Sequence, residues 1–183
     1  MSQFVSPHNN HLLGELNFKF PEGTHALGRL DNDSEGLLIL TTDKSMTKRL
    51  FNSGTKHKRR YAVQVERKIG EEALNKLRSG VEIKVKARGN YITQPCEVNE
   101  IIKPDFLPPR GHEFREDLPQ SWLEFILTEG KNRQIRKMCT GVRHDCKRLI
   151  RISIEDLTIK NMKAGEVREM TREEMFRLLR MEG

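Results

Sequence analysis

Three carboxylates alternate along one short polar stretch of the chain. Asp31, Asp33 and Glu35 occupy every second position, and Gly36 and the continuous apolar run 37–40 follow directly. Apolar runs of that length beside a glycine are typical of buried strands. A loop fixed between buried strands holds its side chains at defined positions, as catalytic groups require. One of the three carboxylates is therefore a candidate nucleophile.

Two other interpretations fit the same residues. Alternating carboxylates also begin a calcium-binding loop, but that loop needs a bidentate glutamate at its twelfth position and a helix after it. Here the twelfth position is Thr42, and the residues that follow Gly36 favour a strand. Clusters of Asp, Asn and Ser also form charged surface turns, which periodicity alone does not distinguish from a catalytic loop.

The charge balance points to a polyanionic partner. The chain of 183 residues carries a net charge of +7, with a pI near 9.5. Such a balance is typical of nucleic-acid-binding proteins, although solvated lysines alone can produce it. The chain contains neither a phosphate-binding P-loop nor a dinucleotide-binding glycine fingerprint, and its histidines show no paired spacing.

Four strings together resemble one enzyme family. They are GRLDNDSEGL at 28–37, YAV at 61–63 after a basic cluster, EGKNRQIRKM at 129–138 and RLIRI at 148–152. The set resembles the RsuA-type family of ribosomal RNA pseudouridine synthases, in the family's order and over most of the chain, from about 28 to 171. The likeness is greatest to the short branch that acts on large-subunit rRNA.

The resemblance implies a fold, a site and a reaction. The fold expected is α+β, a mixed and mostly antiparallel sheet flanked by helices, with the active-site cleft across the sheet. Asp31 is then the nucleophile and Arg136 the cation that keeps it ionised. Tyr61 is expected to stack on the target uracil, with Leu149 beneath the bound base. The isomerisation moves uracil from N1 to C5 attachment and needs no redox cofactor or metal, so none is expected.

The partner implied is ribosomal RNA, with a 23S stem-loop as the expected substrate and the target nucleotide flipped out of its stack. Phosphates near that nucleotide are expected to contact basic residues, namely Arg29, Arg59, Arg60, Arg133 and Lys137. A non-catalytic rRNA-binding or ribosome-assembly module that retains the fold is the alternative. Conversion of Asp31 to Asn distinguishes the two, because only an enzyme would lose pseudouridine formation.

The chain length fits a single catalytic domain over 1–183, or one domain with two lobes, without a separate N-terminal RNA-binding domain. Three cysteines (Cys96, Cys139 and Cys146) show no paired framework, as expected in a reducing compartment. No run reaches membrane-spanning length, and no signal-peptide pattern opens the chain. We therefore expect a cytoplasmic monomer. Zinc binding by Cys139, His144 and Cys146 is disfavoured because no fourth ligand has suitable spacing.

Several helices must position the candidate site residues. Asp43 is a predicted cap for a helix carrying Met46 and Leu50 on one side. The segment 71–79 predicts a helix that stops at Gly80. The capping box of Thr171 and Glu174 predicts another; its inward residues are Met175, Leu178 and Leu179.

A further helix is predicted after residue 132, with Asn132 as its cap. Its apolar stripe comprises Ile135, Met138, Cys139 and Val142. A second, basic stripe comprises Arg133, Arg136, Lys137 and Thr140. Because that stripe begins in the first turn, where backbone N–H groups favour an anion, it suits phosphate binding; a solvated face is the alternative.

Predicted strands lie at 81–85, 96–102 and 122–128. Alternation from Tyr61 places this tyrosine on the same face as Val63 and Val65. In the later strand Ile150, Ile152 and Ile154 share one face, whereas Leu149 and Arg151 share the other.

The remaining segments are irregular. Residues 1–25 are predicted to form a loop, and 103–119 a long loop that is either an RNA-facing flap or disordered. Two positions depart from the family pattern: Glu155 follows Ile154 where Gly is commoner, and Arg143-His144-Asp145 replaces a turn that contains Gly.

Overall fold

A computed structural model describes residues 12–52, 54–86, 89–109 and 117–181, together with Phe4 and Arg115. The helical elements in this part of the chain are a 3-10 turn at Leu13–Glu15, α1 (Ser45–Asn52), α2 (Glu71–Ser79), α3 (Gln134–Gly141) and α4 (Arg172–Leu178). The strands are β1 (His25–Ala26), β2 (Glu35–Gly36), β3 (Leu40–Thr41), β4 (Arg59–Glu66), β5 (Glu82–Val85), β6 (Gly89–Ile92), β7 (Glu97–Ile101), β8 (Gln120–Leu127), β9 (Cys146–Ile154) and β10 (Leu157–Thr158).

The main sheet has the strand order β10-β9-β4-β8-β7, and each of these neighbours is antiparallel. The short strand β2 joins it by pairing with β9 in parallel. Strand β9 therefore pairs with β4 on one edge and with β2 and β10 on the other. Two further antiparallel pairs, β1–β3 and β5–β6, lie outside this sheet.

Apolar residues at alternate strand positions give each face of the sheet its own core. One face packs against α2 and α3 through a cluster that includes Val63, Val65, Leu77, Leu123, Phe125, Met138 and Leu149. The other face carries a smaller cluster of Ala62, Leu107, Trp122, Ile150 and Ile152. A third cluster joins α1 and α4 around Leu27, Ile39, Leu50, Ile154 and Leu179. Full burial of each such side chain contributes roughly 1.5–3 kcal/mol.

Most of the periodic elements are where the sequence predicts them. Helix α2 spans the predicted residues and ends at Gly80, and α4 begins with the predicted capping box. Asp43 accepts a hydrogen bond from the Ser45 amide at the start of α1 (2.8 Å). The buried residue of α4 is Phe176, which is not among the residues predicted to face inward, and Leu179, the C-cap, is fully buried.

The prediction of one continuous strand over 37–40 is wrong. The chain forms β2 before it and β3 at its end, and the residues between them belong to neither strand. Gly36 explains the break, because its φ of +104° is a left-handed conformation that directs the chain away from β9. The Leu37 amide then donates to the Arg151 carbonyl (2.8 Å) before the chain turns to pair with β1.

Two irregular regions differ from expectation. The hairpin of β5 and β6 brings in a strand, Gly89–Ile92, that the sequence did not predict. In the long segment 103–119, Leu107 is buried against the sheet and the Pro108 carbonyl accepts a hydrogen bond from Arg148 (2.7 Å). Residues 110–114 and 116 of that segment lie outside the described residues, as do most of 1–11.

Both departures from the family pattern occur at left-handed residues. Glu155 has a φ of 47° and Arg143 a φ of 64°. The Glu155 conformation is held by two bonds with Lys58, since the Glu155 amide donates to the Lys58 carbonyl (2.8 Å) and Oε1 accepts from the Lys58 amide (2.6 Å). A glycine would take these conformations without strain, which explains its frequency there. None of the helices in the described part of the chain is long and apolar enough to span a bilayer.

Conversion of Gly36 to Ala should destabilise the protein by roughly 2–4 kcal/mol, because left-handed strain and a backbone clash act together. A Cβ at this position would lie 2.3 Å from the Arg151 carbonyl oxygen. Urea unfolding monitored by circular dichroism measures the change. Gly14→Ala is the matched control, since a Cβ there meets nothing within 4 Å. Equal stability of the two variants would contradict the parallel β2–β9 pairing.

Candidate active site

The carboxylate-bearing loop, residues 28–36, is fixed at both ends. Before it, the Leu27 amide donates to the Ile39 carbonyl (2.8 Å), next to the β1–β3 pair. At its C-terminal end, Glu35 and Gly36 pair with Ile150 and Arg151 of β9. Within it, the Ser34 amide donates to the Asp31 carbonyl (2.9 Å) and closes a tight turn. The loop is held at both ends, but the expectation of a buried strand on each side is wrong, because β1 and β3 are half-buried and β2 is half-buried at Glu35 and exposed at Gly36.

Asp33 is the electrostatic anchor of the loop. Both of its carboxylate oxygens accept from the Arg133 guanidinium, at 2.9 and 2.8 Å. Arg136 Nε lies 3.3 Å from the same carboxylate, and Arg136 Nη2 donates to the Asp33 carbonyl. The hydrogen bond from Arg133 and the charge of Arg136 lower the pKa of Asp33, against the opposing effect of partial burial.

The other end of the loop is held by β9. Arg148 is only 3% exposed and forms a two-pronged ion pair with Glu35, with Nε and Nη2 at 3.0 and 2.8 Å from its carboxylate oxygens. Bidentate geometry of this kind restricts both side chains. Arg151 donates from Nε to the Leu37 carbonyl at 2.8 Å. Arginines from two elements thus bind the C-terminal half of the loop, at Asp33 and at Glu35.

Asp31 is the loop carboxylate that these arginines leave unoccupied. Its side chain is partly exposed, and among the described residues no hydrogen bond or ion pair is recorded for its carboxylate. The predicted ion pair between Arg136 and Asp31 is wrong for this structure, because Arg136 contacts Asp33 and Ser34 instead. Arg133 is nevertheless near: the hydrogen bond to Asp33 raises the pKa of Arg133, and the charge of Asp31 contributes in the same direction.

Tyr61 and Leu149 lie on the sheet face that packs against α3. Tyr61 is partly exposed and is the direct neighbour of Arg151 across the β4–β9 pair. Two positions further along, Val63 pairs with Leu149. Leu149 is buried in the core cluster against which Tyr61 packs. The predicted sharing of faces, Tyr61 with Val63 and Leu149 with Arg151, is therefore confirmed, whereas contact with a base stays a prediction.

The predicted RNA-binding residues do not all lie at this site. Arg29 is exposed in the loop itself. Arg59, on the Tyr61 face of β4, donates to the Thr128 carbonyl (3.1 Å). Lys137 donates to the Lys84 carbonyl (2.8 Å) beside α3. Arg60 points to the opposite face of the sheet from Tyr61 and pairs with Glu124 at 2.7 Å.

The start of α3 is built differently from the prediction. Its N-cap is Arg133, in a left-handed conformation (φ 53°) and without a side-chain cap, so the assignment of Asn132 as cap is wrong. The predicted buried stripe is confirmed at Ile135, Met138 and Cys139, with Val142 partly buried.

Glu129, which sequence reasoning missed, fastens the start of α3 to neighbouring segments. Its carboxylate accepts from the Tyr91 hydroxyl, the Gln94 amide and Gln134 Nε2, at 2.6, 2.9 and 2.8 Å. Burial raises the pKa of Glu129, but these three hydrogen bonds, together with the charge of Lys131, hold the pKa below its usual value. Its place at the head of the EGKNRQIRKM string was the available indication.

The donor types at the site favour proton, nucleophile and anion chemistry. Among the described residues, no group of three or more His, Cys, Asp or Glu side chains could hold a metal ion. The site presents an acidic loop bound by guanidinium groups, one of which, Arg151, lies opposite Tyr61 in the β4–β9 pair.

Comparison with known proteins agrees with this geometry. A family model described as RNA pseudouridylate synthase matches residues 8–140. The chain belongs to this family of enzymes. The matched span contains Asp31, Tyr61 and Arg136, whereas Leu149 and Arg151 lie beyond it. The resemblance predicted from the four strings is confirmed.

Individual relatives support the same conclusion. Ribosomal large subunit pseudouridine synthase E of Vibrio parahaemolyticus is 37% identical over 149 residues, which cover 80% of this chain but only 60% of that protein. The protein of the same name from Xanthomonas axonopodis pv. citri is 40% identical over 141 residues, 76% of this chain and 72% of its own. Dual-specificity RNA pseudouridine synthase RluF of Escherichia coli is 30% identical over 155 residues, 85% of this chain and 46% of its own.

The fold is that of a solved pseudouridylate synthase. A crystal structure of such a protein superposes with a TM-score of 0.69 over 91% of this chain and 65% of that one, at 21% identity. The predicted α+β fold, with its mostly antiparallel sheet, is confirmed.

Replacement of Asp33 by Asn should lower the free energy of unfolding at pH 7 by less than about 1 kcal/mol, because both partners of the Arg133 pair are more than 40% exposed. The pKa of Asp33 is lowered from its usual 3.8, so the stabilisation is complete above that pH and is lost as pH falls through the lower, folded-state value. Urea unfolding at several pH values measures the difference.

Arg133→Met should show the same pH dependence, since it removes the other partner. A stability gap between wild type and Asp33→Asn that persists undiminished at pH 2 would contradict this assignment.

Proposed function

We propose that this protein converts a specific uridine of large-subunit rRNA to pseudouridine, with Asp31 as the nucleophile. The expected substrate is a 23S stem-loop. The observation that carries the assignment is the distribution of charge in the loop. Asp33 and Glu35 form ion pairs with arginines, whereas the Asp31 carboxylate forms no hydrogen bond or ion pair with a described residue. A nucleophilic carboxylate needs free lone pairs, and the two ion-paired carboxylates have committed theirs.

The reaction places clear requirements on the site. The glycosidic N1–C1′ bond breaks, the uracil rotates, a C5–C1′ bond forms, and the proton on C5 is replaced by one on N1. Product and substrate contain the same atoms, so the reaction consumes no oxidant, reductant or co-substrate. Asp31 supplies the nucleophile. The surrounding residues must hold the base while it is detached and keep water away.

Tyr61 and Leu149 suit the holding of a detached base. A uridine cannot react while stacked in RNA, so it must enter the site flipped out of the helix. The partly exposed ring of Tyr61 offers a face for stacking, and the apolar Leu149 lies on the same side of the sheet. Stacking of a base on an aromatic side chain contributes about 1–3 kcal/mol.

Basic side chains near the loop are proposed to interact both with Asp31 and with the RNA substrate. A carboxylate in a closed pocket tends to take up a proton unless a cation is near. Arg133, whose guanidinium interacts with the charge of Asp31, supplies that cation. Arg29, Arg59 and Lys137 are placed to contact phosphates around the cleft, and affinity should fall as salt rises. Arg60, on the opposite face, would contact only RNA that wraps around the sheet.

The expected substrate bears on the cellular location of the protein, and the origin of the site residues bears on its oligomeric state. Ribosomal RNA as substrate places the enzyme in the cytoplasm, in agreement with its three free thiols. We propose that it acts as a monomer, since the loop, α3, β4 and β9 of one chain provide every residue assigned above. The whole chain, residues 1–183, would then act as one catalytic domain.

Asp31→Asn should reduce the rate of pseudouridine formation by at least about a thousandfold, the order of loss that follows removal of a nucleophile. The affinity for RNA should change by less than about threefold, because no phosphate contact is lost. Carbodiimide labelling followed by primer extension measures the product, since the isomerisation leaves mass unchanged. Wild-type protein and in vitro transcribed 23S rRNA provide the reference.

Asp156→Asn is the matched control. It makes the same chemical change in an exposed carboxylate that pairs with Arg180 at 2.9 Å, and it should leave the rate unaltered. Should wild-type protein bind the RNA but form no pseudouridine, the alternative of a non-catalytic rRNA-binding or assembly module would replace the enzyme proposal.

Lys137→Ala should weaken RNA binding without regard to sequence and reduce the slope of log affinity against log salt by about 0.7–0.9, the value for one phosphate contact. Filter binding from low to moderate salt measures the slope. Lys76→Ala is the control, because Lys76 lies on α2 and pairs with Glu72 at 3.0 Å. Identical slopes for the two variants would remove Lys137 from the RNA interface.

A further inference from the structure

Arg151 is a buried cation without a carboxylate partner among the described residues. It lies in β9 and is 5% exposed. Its Nε donates to the Leu37 carbonyl at 2.8 Å, directly after the catalytic loop. Its Nη2 is buried and has no hydrogen-bond partner in the described part of the chain. A buried donor without a partner is costly, so such groups in native proteins usually have a purpose.

Tyr61 is the neighbouring side chain to which Arg151 can donate a hydrogen bond. The two residues face each other across the β4–β9 pair and point to the same side of the sheet. Burial lowers the pKa of Arg151, the adjacent Tyr61 phenol opposes that shift, and the Arg59 guanidinium adds to it. Arg59 itself has a buried Nε without a partner. Arg59 and Arg151 thus lie on the same side of the sheet as Tyr61, and neither forms an ion pair with a described carboxylate.

We propose that Arg151 is a positioning residue that couples Tyr61 to the catalytic loop. While Nε holds the Leu37 carbonyl, Nη2 donates to the Tyr61 phenol oxygen and fixes the plane of the ring on which the uracil stacks. Because catalytic hydrogen bonds often tighten only when substrate is bound, this bond aligns fully as the base enters. The effect of this contact on catalysis rests on the proposed function. The contact between Arg151 and Tyr61 itself does not rest on it.

The alternative use of Nη2 is direct contact with the uracil. It is less well supported, because Nη2 is buried within the protein. The two uses differ in one measurable respect. Only the first makes the effect of Arg151 depend on the Tyr61 hydroxyl.

A double-mutant cycle of Tyr61→Phe and Arg151→Met tests this dependence. Single-turnover rates at saturating 23S transcript should fall by about tenfold or more in each single variant, the lower range of effects for a lost positioning contact. The double variant should be no slower than the slower single one. RNA affinity should change by less than about threefold in all three, since stacking survives in phenylalanine. Multiplicative rate losses, or an unchanged rate in Arg151→Met, would overturn the proposal.

Arg148→Met is the matched control in the same strand. This arginine is also almost fully buried, but it is neutralised by Glu35 and has no register contact with Tyr61. Its rate loss should multiply with that of Tyr61→Phe. If Arg151→Met fails to fold, as judged by thermal unfolding, Arg151→Lys replaces it, because a single ammonium group cannot reach both the carbonyl and the phenol.

A measurement without activity separates this inference from the proposed function. The chain has two tyrosines, Tyr61 and Tyr91, so ¹³Cζ-labelled tyrosine gives two resonances, assigned with Tyr91→Phe. In the ligand-free protein the Tyr61 resonance should move between wild type and Arg151→Lys, whereas that of Tyr91, bonded to Glu129, should not. An unmoved Tyr61 resonance would overturn the contact. Absence of pseudouridine in the wild type, with a moved resonance, would overturn only the enzyme assignment.

Discussion

The structure depends on the ion pairing of one acidic loop by arginines of two distant elements. Three carboxylates within five residues repel one another, and a loop carrying them would not hold a fixed shape unaided. Guanidinium groups from α3 and β9 remove that repulsion at two of the three. The groups involved are Arg133, at the N-cap of α3, and Arg136 of α3, which pair with Asp33, and Arg148 of β9, which pairs with Glu35. What remains is a fixed loop with one carboxylate available.

Strand β9 carries much of this arrangement because it pairs on both edges. On one side it aligns with β4 and so places Arg151 opposite Tyr61. On the other it binds Glu35 and Gly36 in parallel. A shift of β9 by a single residue would move Leu149 and Arg151 to the opposite face and separate the loop from the tyrosine. The hydrophobic cores on both faces oppose such a shift, so core packing and the geometry of the candidate site depend on the same register.

The sequence predicted local features well and pairings poorly, for physical reasons that particular residues illustrate. Helix α2 and the faces of β4 follow from periodicity, which is a property of consecutive residues. The partner of Arg136 does not follow from periodicity, because Asp31 and Asp33 lie on the same short loop. The contact between Arg136 and Asp33 joins residues 103 positions apart in the chain. Turn geometry decides between these two carboxylates. Likewise Arg59 and Arg60 are adjacent in the chain, and strand alternation sends them to opposite faces.

The pairing of Asp33 also leaves positive charge in excess on the α3 side of the loop. Arg133 and Arg136 together bring two positive charges to a carboxylate that carries one negative charge, so the α3 side of the loop retains a net positive field. An ion pair made directly to Asp31 would occupy the oxygens of the carboxylate that we propose as the nucleophile. Because Arg133 and Arg136 are held by Asp33, their positive charge lies beside the loop while the Asp31 oxygens remain available. Electrostatic preorganisation of this kind has most effect where water is excluded, as it would be if a base covered Tyr61.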